Sequence, residues 1–299
     1  NVLKVHEYRK RRLDNEFTRN LGSFYIRDHM SFFTFTIHAT EPVVAFSVGP
    51  LDIHWYGLAY LVSFLGAWFY AIYLGKLPPR NIPKIVFDDL LFWIVLGGII
   101  GGRLGFVFLY NWDYYLRNPI EILYTWQGGM SIHGGILGAI LTIFYYTYSR
   151  KLSFWAITDC LVPGLPIGLF LGRIANFANG ELYGRVTESP LGVVFASGGP
   201  YPRHPSQLYE AFLEGFVLFI ILFAASKCAK ARARIGFISG IFGIFYALSR
   251  IASEFFREPD SQIGYIWDHF TMGQILSLPL LIAGLYLVFR KAPLNETGT

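Results

Sequence analysis

Seven stretches of this chain are apolar over roughly the 20 residues a helix needs to cross about 30 Å of hydrocarbon. They run from Trp55 to Leu74, Leu90 to Tyr110, Met130 to Tyr148, Phe154 to Ala175, Leu208 to Ala225, Ile235 to Phe255 and Met272 to Phe289. In lipid each backbone amide must be satisfied inside its own helix or in a closed barrel, so runs of this length leave few alternatives. The expected fold is an all-α membrane protein, a bundle of about seven transmembrane helices. With 54% hydrophobic and 15% charged residues the chain lies outside the composition of soluble domains.

Charge sets the expected orientation. Short loops after the first, third, fifth and seventh runs carry Lys76, Arg80 and Lys84, then Arg150 and Lys151, then Lys227, Lys230, Arg232 and Arg234, then Arg290 and Lys291. By the positive-inside rule these loops face the cytoplasm, which places the C-terminus inside. The connections Asn111 to Gln127, Asn176 to Gln207 and Arg257 to Thr271 then face outward. The formal charge of +5 could mark a nucleic-acid partner in a soluble protein, but here its placement in inner loops points to membrane lipids and to no nucleic acid. The first 29 residues break the pattern: seven Lys and Arg, with "RKRR" at Arg9 to Arg12, would lie outside. They lack the apolar core of a signal peptide and are read as an extension outside the fold, the working protein beginning near Met30. Two cysteines, Cys160 and Cys228, support neither a disulfide framework nor a cysteine-rich metal site.

An arginine in the hydrocarbon costs at least about 2.5–3.5 kcal/mol, so an intramembrane arginine suggests function. Arg103, Arg173 and Arg250 are of this kind. In "SRIASEFFREPD", Arg250, Glu254 and Arg257 recur at helical spacing, which sets an acid between two guanidinium groups. "GGMSIHGG" surrounds His133 with glycines that permit close approach to the backbone. "YPRHPSQLYEAFLEG" leads into the fifth run with Ser206 as its expected N-cap, and its Arg203, His204, Gln207 and Glu210 read equally well as interface residues. Trp55 and Tyr56 fit an aromatic belt. Each polar cluster falls near the outward end of a run, while the cytoplasmic ends carry only loop charge. An outward pocket with several guanidinium forks, a histidine and asparagines suits a phosphate-bearing lipid.

The strings "HWYGL", "GGRLGFVFLYN", "GGMSIHGG", "GRIANFANGELYGR", "RHPSQLYE", "EFFREPD" and "MGQILS" stand here in one order. In that order the chain resembles the bacterial phosphatidylglycerol:prolipoprotein diacylglyceryl transferases, from about Val44 to Leu287. The resemblance implies a seven-span inner-membrane enzyme with a small periplasmic cap, with its site toward the periplasm and with neither cofactor nor metal. It implies transfer of the sn-1,2-diacylglyceryl group of phosphatidylglycerol to the lipobox cysteine of a prolipoprotein signal peptide, forming a thioether and releasing glycerol phosphate. Residues 30–291 would form the transferase domain and 292–299 a cytoplasmic tail. By the same resemblance Arg173 binds the lipid phosphate with Asn176 and Glu181 beside it, and Gly184 keeps backbone room. Arg250 is the second essential arginine, grouped with Glu254 and Arg257. His133 is the functional histidine and Tyr56 the first-span tyrosine, and His204 joins the substrate-binding set. Of the rival classes, a lipid or anion transporter would be expected to show matched broken helices or a repeat, and an intramembrane protease a Ser–His pair or two facing aspartates; neither pattern is visible.

Overall fold

The computed structural model describes residues 35–37, 44–49, 51–258, 266 and 269–290. The 1–29 extension, the start near Met30 and the 292–299 tail lie outside the described residues.

The chain is mostly helical. Its long helices are α1 (Trp55–Lys76), α2 (Lys84–Tyr110), α3 (Ile132–Ser149), α4 (Phe154–Ala178), α5 (Ser206–Lys227), α6 (Phe237–Glu254) and α7 (Met272–Phe289). Among the described residues α1, α2, α4, α5 and α7 are long and apolar enough to cross a membrane. Helices α3 and α6 are each 18 residues long; α6 carries Arg250 and Glu254, and α3 carries His133 and closes on hydroxyl-bearing residues. Two short sheets add to the helices: β1 (Phe35–Ile37) runs parallel to β4 (Val193–Phe195), and β2 (Val44–Val48) folds back on β3 (Leu51–His54), which leads into α1.

Helix α2 starts six residues before its apolar run because partners meet the acids of its first turns. Lys84 and the Trp68 indole donate to Asp88 at 2.6 and 3.1 Å, and Tyr146 and Arg150 donate to Asp89 at 3.1 and 3.2 Å. Helix α4 narrows to a 3-10 turn at Val162–Gly164, where Pro163 and Pro166 withhold backbone donors. Within a bilayer the lipid is as apolar as the side chains, so close backbone packing holds helices together. Helices α2 and α3 meet on glycines. A Cβ on Gly101 would stand 2.4 Å from the Gly134 carbonyl oxygen, and one on Gly134 would stand 2.3 Å from that of Gly101. Helices α6 and α7 repeat the device, with Gly284 facing Gly240. The buried side chains that join the α2–α3 pair to α1 and α4 include Phe87, Leu90 and Tyr146, packed with Ala71, Leu74, Ile157 and Cys160 near the basic end.

Two expectations are corrected at the ends of the helices. The basic end does not carry loop charge alone. Arg80 pairs with Asp159 at 3.1 Å with both side chains buried, and Asp159 also accepts from the backbone amides of Gly236 (2.9 Å) and Ser239 (2.7 Å). It thereby caps the amino end of α6 from another helix, where a carboxylate is favoured. Arg103, read as a functional candidate, is a structural tie. Its Nε donates to the Ile122 carbonyl at 2.8 Å, Nη1 to Gly128 and Gly129 at 2.7 and 3.1 Å, and Nη2 to Glu121 at 2.6 Å. Neutral carbonyl dipoles satisfy this buried guanidinium while it pins the 119–129 connection onto α2.

The glycine seam makes a direct prediction. Gly101→Ala should sharply lower folded yield and melting temperature, because the atom it would strike is backbone and cannot turn aside. Gly98→Ala, whose Cβ would have its nearest neighbour 3.9 Å away, should change neither. Size-exclusion profiles and thermal melts of the two detergent-solubilised variants compare them directly, and equal behaviour would rule out this packing.

Candidate functional site

Ionisable side chains from several helices converge at the end opposite the basic loops. Helix α4 reaches that end with Arg173 and Asn176 in its last turns, since arginine and asparagine there follow an apolar stretch that has already crossed the bundle. Gly164 lies against Ala67 and Gly168 against Ser63. This antiparallel register brings Arg173 and Asn176 to the level of Tyr60 and Tyr56 on α1. The tyrosines form a pair, with Tyr60 Oη donating to Tyr56 Oη at 3.0 Å. Beyond α4 the chain reverses through Gly180 and Leu182, both at positive φ. For leucine that conformation is strained. It is fixed by Ser206 Oγ, which donates to the Leu182 carbonyl at 3.1 Å, and by Gln207 Nε2, which donates to that of Glu181 at 2.6 Å. Ser206 is thus not the expected helix cap: Pro205 occupies that position, and the serine hydroxyl serves the turn. The turn presents Glu181 to Asn176, whose Nδ2 donates to its carboxylate at 2.8 Å.

Helix α5 supplies the centre. Its segment Ala211–Val217 is a π-helix, a form that recurs at functional sites. Two buried glutamates, Glu210 and Glu214, border and occupy this segment and face three arginines. Arg250 Nη1 donates to Glu210 Oε1 at 2.8 Å and Arg257 Nη1 to the same oxygen at 3.2 Å. Arg173 Nε lies 3.0 Å from Glu210 Oε2 as an ion pair outside hydrogen-bond alignment. Glu214 is held more loosely, with Oε2 at 3.4 Å from Arg173 Nη2 and Oε1 at 3.7 Å from Arg250 Nη1.

Glu254 pairs with Arg250 Nη2 at 2.5 Å, as the helical spacing suggested. The acid shared by Arg250 and Arg257, however, is Glu210 from α5. Glu254 also packs on the first turn of α7, where Thr271 and Gln274 close a capping box. A Cβ on Gly273 would fall 2.4 Å from Glu254 Oε1, so only glycine lets this helix end approach the carboxylate.

Gly184 stands where three segments cross. Its amide donates to the His204 carbonyl at 2.8 Å, and a Cβ there would meet the Phe256 carbonyl oxygen at 2.3 Å. The backbone room expected of it is explained by this crossing. Arg185 ties the layer down through the carbonyls of Arg257 (2.9 Å) and Glu254 (3.2 Å). His204 is half-buried beside Tyr209 and Phe256, with Nδ1 3.2 Å from Tyr209 Oη. Burial first, and then the Arg185 charge, lower its pKa below the usual histidine value.

Arg173, Arg250, Arg257 and Glu254 are therefore in one ion-pair network, with Asn176, Glu181, Gly184 and His204 in the adjoining turn and crossing. Tyr56 lies at the same level on α1. His133 is exposed in the first turn of α3, and no hydrogen bond or ion pair among the described residues joins it to the arginines. The sequence alone leaves the roles of Gln207 and Glu210 open and gives no reading of Glu214 or Gly273. Glu214 could have been found by applying to acids the rule applied to arginine, since "YEAFLEG" places two glutamates four apart in an apolar run. Chemically, three guanidinium groups with 12–17% of each side chain exposed can offer bidentate donors to an oxyanion.

The model of the family described as prolipoprotein diacylglyceryl transferase matches residues 43–290. A phosphatidylglycerol–prolipoprotein diacylglyceryl transferase of Rickettsia felis is 53% identical over 253 residues, covering 85% of this chain and 97% of that protein. One from Brucella ovis is 49% identical over 259 residues, covering 84% of this chain and 92% of its own length. Extending over residues 43–290, and so over all seven long helices, this likeness shows that the chain belongs to the prolipoprotein diacylglyceryl transferase family.

Proposed function

We propose that this protein transfers the sn-1,2-diacylglyceryl group from phosphatidylglycerol to the lipobox cysteine of prolipoproteins, the first step of lipoprotein maturation. The observation that carries the reading, beside the family, is the meeting of Arg173, Arg250 and Arg257 around buried carboxylates at the end of the bundle opposite the basic loops. The positive-inside rule makes those loops cytoplasmic. The enzyme then has seven spans in the bacterial inner membrane with the C-terminus inside. The arginines open toward the periplasm under a small cap made by the 179–205 connection.

The reaction asks for two kinds of help. A cysteine thiol with a pKa of about 8.5 is only a few per cent ionised at pH 7, so its proton must be taken up. His133 is the base in this reading, and Tyr56 assists at the outer end of α1. The sulfur then attacks the glyceryl carbon bonded to the phosphate oxygen. A C–S bond forms, the C–O bond breaks, and glycerol phosphate leaves with the bonding pair. Arg173 clamps the phosphate, and Arg250 meets the charge that grows on the departing oxygen, the preorganised stabilisation that dominates many enzymes. Asn176, Glu181 and Gly184 shape the turn beside the phosphate, Glu254 and Arg257 hold the network, and His204 lines the substrate side of the crossing.

Purified protein in phosphatidylglycerol vesicles should add one diacylglyceryl mass to a lipobox peptide and none to its Cys→Ser counterpart. Lipid movement across the bilayer without peptide modification would overturn the reading in favour of a transporter. Arg173→Lys keeps the charge and loses the fork, so kcat/KM should fall roughly 10- to 100-fold, the scale of one or two charge-assisted hydrogen bonds. Arg250→Gln should depress kcat more than lipid affinity, because the contact is strongest in the transition state. Snorkelling arginines would instead give poor folded yield with normal specific activity. Cys160 is buried beside Arg80, and Cys228 follows α5 at the basic end. Changing both to Ser should leave turnover near normal, and lipid found covalently on either thiol would refute direct transfer to the acceptor.

A further inference from the structure

The arginines that meet the lipid phosphate are already matched by carboxylates. Arg173, Arg250 and Arg257 face Glu210, Glu214 and Glu254, so the formal charges of the network cancel. A phosphodiester brings one further negative charge, and the phosphate monoester left after transfer carries up to two. An incoming phosphate therefore competes with these carboxylates for the guanidinium donors, and the most weakly held carboxylate is the first to yield.

The geometry ranks the three carboxylates. Glu210 is contacted by all three arginines, and its Oε1 accepts two hydrogen bonds. Glu254 pairs with Arg250 at 2.5 Å and is backed by the first turn of α7 at Gly273. Glu214 is different. It reaches both Arg173 and Arg250, but only at 3.4 and 3.7 Å, and its fully buried Oε1 has no hydrogen-bond donor among the described residues. It projects from the π-helical segment, whose Gly215 lets α5 approach α4 so closely that a Cβ would lie 2.6 Å from Phe170 Cβ. The backbone that carries Glu214 is thus held close to α4, while its carboxylate is weakly engaged by its partners.

We propose that Glu214 is a positioning residue that acts as a displaceable counter-ion. Before lipid arrives it keeps Arg173 and Arg250 turned toward one point; the phosphate then takes its place, and after transfer Glu214 competes with glycerol phosphate for the same two guanidinium groups and speeds product release. This inference rests on the transfer reaction proposed above.

The test compares wild type, Glu214→Gln and Glu214→Asp in phosphatidylglycerol vesicles with a lipobox peptide, measuring KM for the lipid, kcat, and inhibition by added glycerol phosphate. Glu214→Gln removes the competing charge and keeps the shape. Its KM should fall and its inhibition by glycerol phosphate should tighten, each by about tenfold, the scale of one charge-assisted contact, while kcat drops as release slows. Glu214→Asp keeps the charge at a shorter reach, so its inhibition constant should fall between those of wild type and Glu214→Gln. A folded Glu214→Gln with unchanged inhibition, or with a raised KM as expected if it merely misplaced the arginines, would overturn the proposal. If the glutamine variant does not fold, an inhibition constant for Glu214→Asp that is looser than or equal to wild type, despite its shorter reach toward the arginines, would overturn it equally. Wild-type protein that fails to modify the peptide would sink the transfer reading, whereas normal wild-type transfer with an unaltered variant would sink this inference alone.

Discussion

Burying a charge in a membrane protein is tolerable when an opposite charge meets it, and Glu210 meets three. Its carboxylate joins α4 through Arg173, α6 through Arg250 and the segment after α6 through Arg257. Removing one partner from such a set leaves another buried and uncompensated, typically the costliest kind of change. The half of the bundle opposite the basic loops is accordingly organised around one residue of α5. Around it the 179–185 turn, the start of α5 and the 254–257 segment lock together by backbone hydrogen bonds at Gly184, Arg185 and His204.

The two ends of the bundle use charge differently. At the basic end Asp159 is saturated by Arg80, two backbone amides and the Ser239 hydroxyl, which gives a closed joint between α4, α6 and the 77–83 loop. Arg103 is well partnered too, by four hydrogen bonds to carbonyl oxygens and by the Tyr115 ring 5.2 Å away. The arginine–glutamate network at the other end is the exception, since several of its contacts are long and its arginines are partly exposed. Saturated groups hold helices, and incompletely satisfied ones are left able to exchange partners. That distinction separates Arg103 from Arg173 and Arg250, though all three are arginines in apolar surroundings.

An ion-balanced site also changes how phosphate recognition should be pictured. Free guanidinium groups in a low-dielectric cleft would bind anionic substrate and anionic product alike. Carboxylates that compete for the same donors weaken both, and they weaken the bound product without preventing the chemistry. Phosphatidylglycerol, which the names of the relatives carry, is an anionic lipid, and on the proposal made above a built-in competitor would serve turnover as well as folding.

How much was legible in the sequence follows from which interactions are local. Spans of 20 apolar residues, basic loops at alternate ends, and the grouping of Arg250 with Glu254 four residues later depend on composition and helical periodicity, and they can be read along the chain. The family strings made Arg173, Asn176, Glu181 and Gly184 recognisable for the same reason. What the tertiary structure decided was pairing across helices. That Arg103 would spend its donors on the 119–129 connection, that Ser206 would brace Leu182 instead of capping α5, and that Glu210 and Glu214 would face arginines about 40 residues away all depend on helix register and close approach. Register in turn is set by glycine contacts such as Gly164 on Ala67 and Gly215 on Phe170. The sequence determined which residues must avoid lipid, because that cost belongs to each residue alone; the fold determined what each one met instead, because a partner's identity depends on two positions at once.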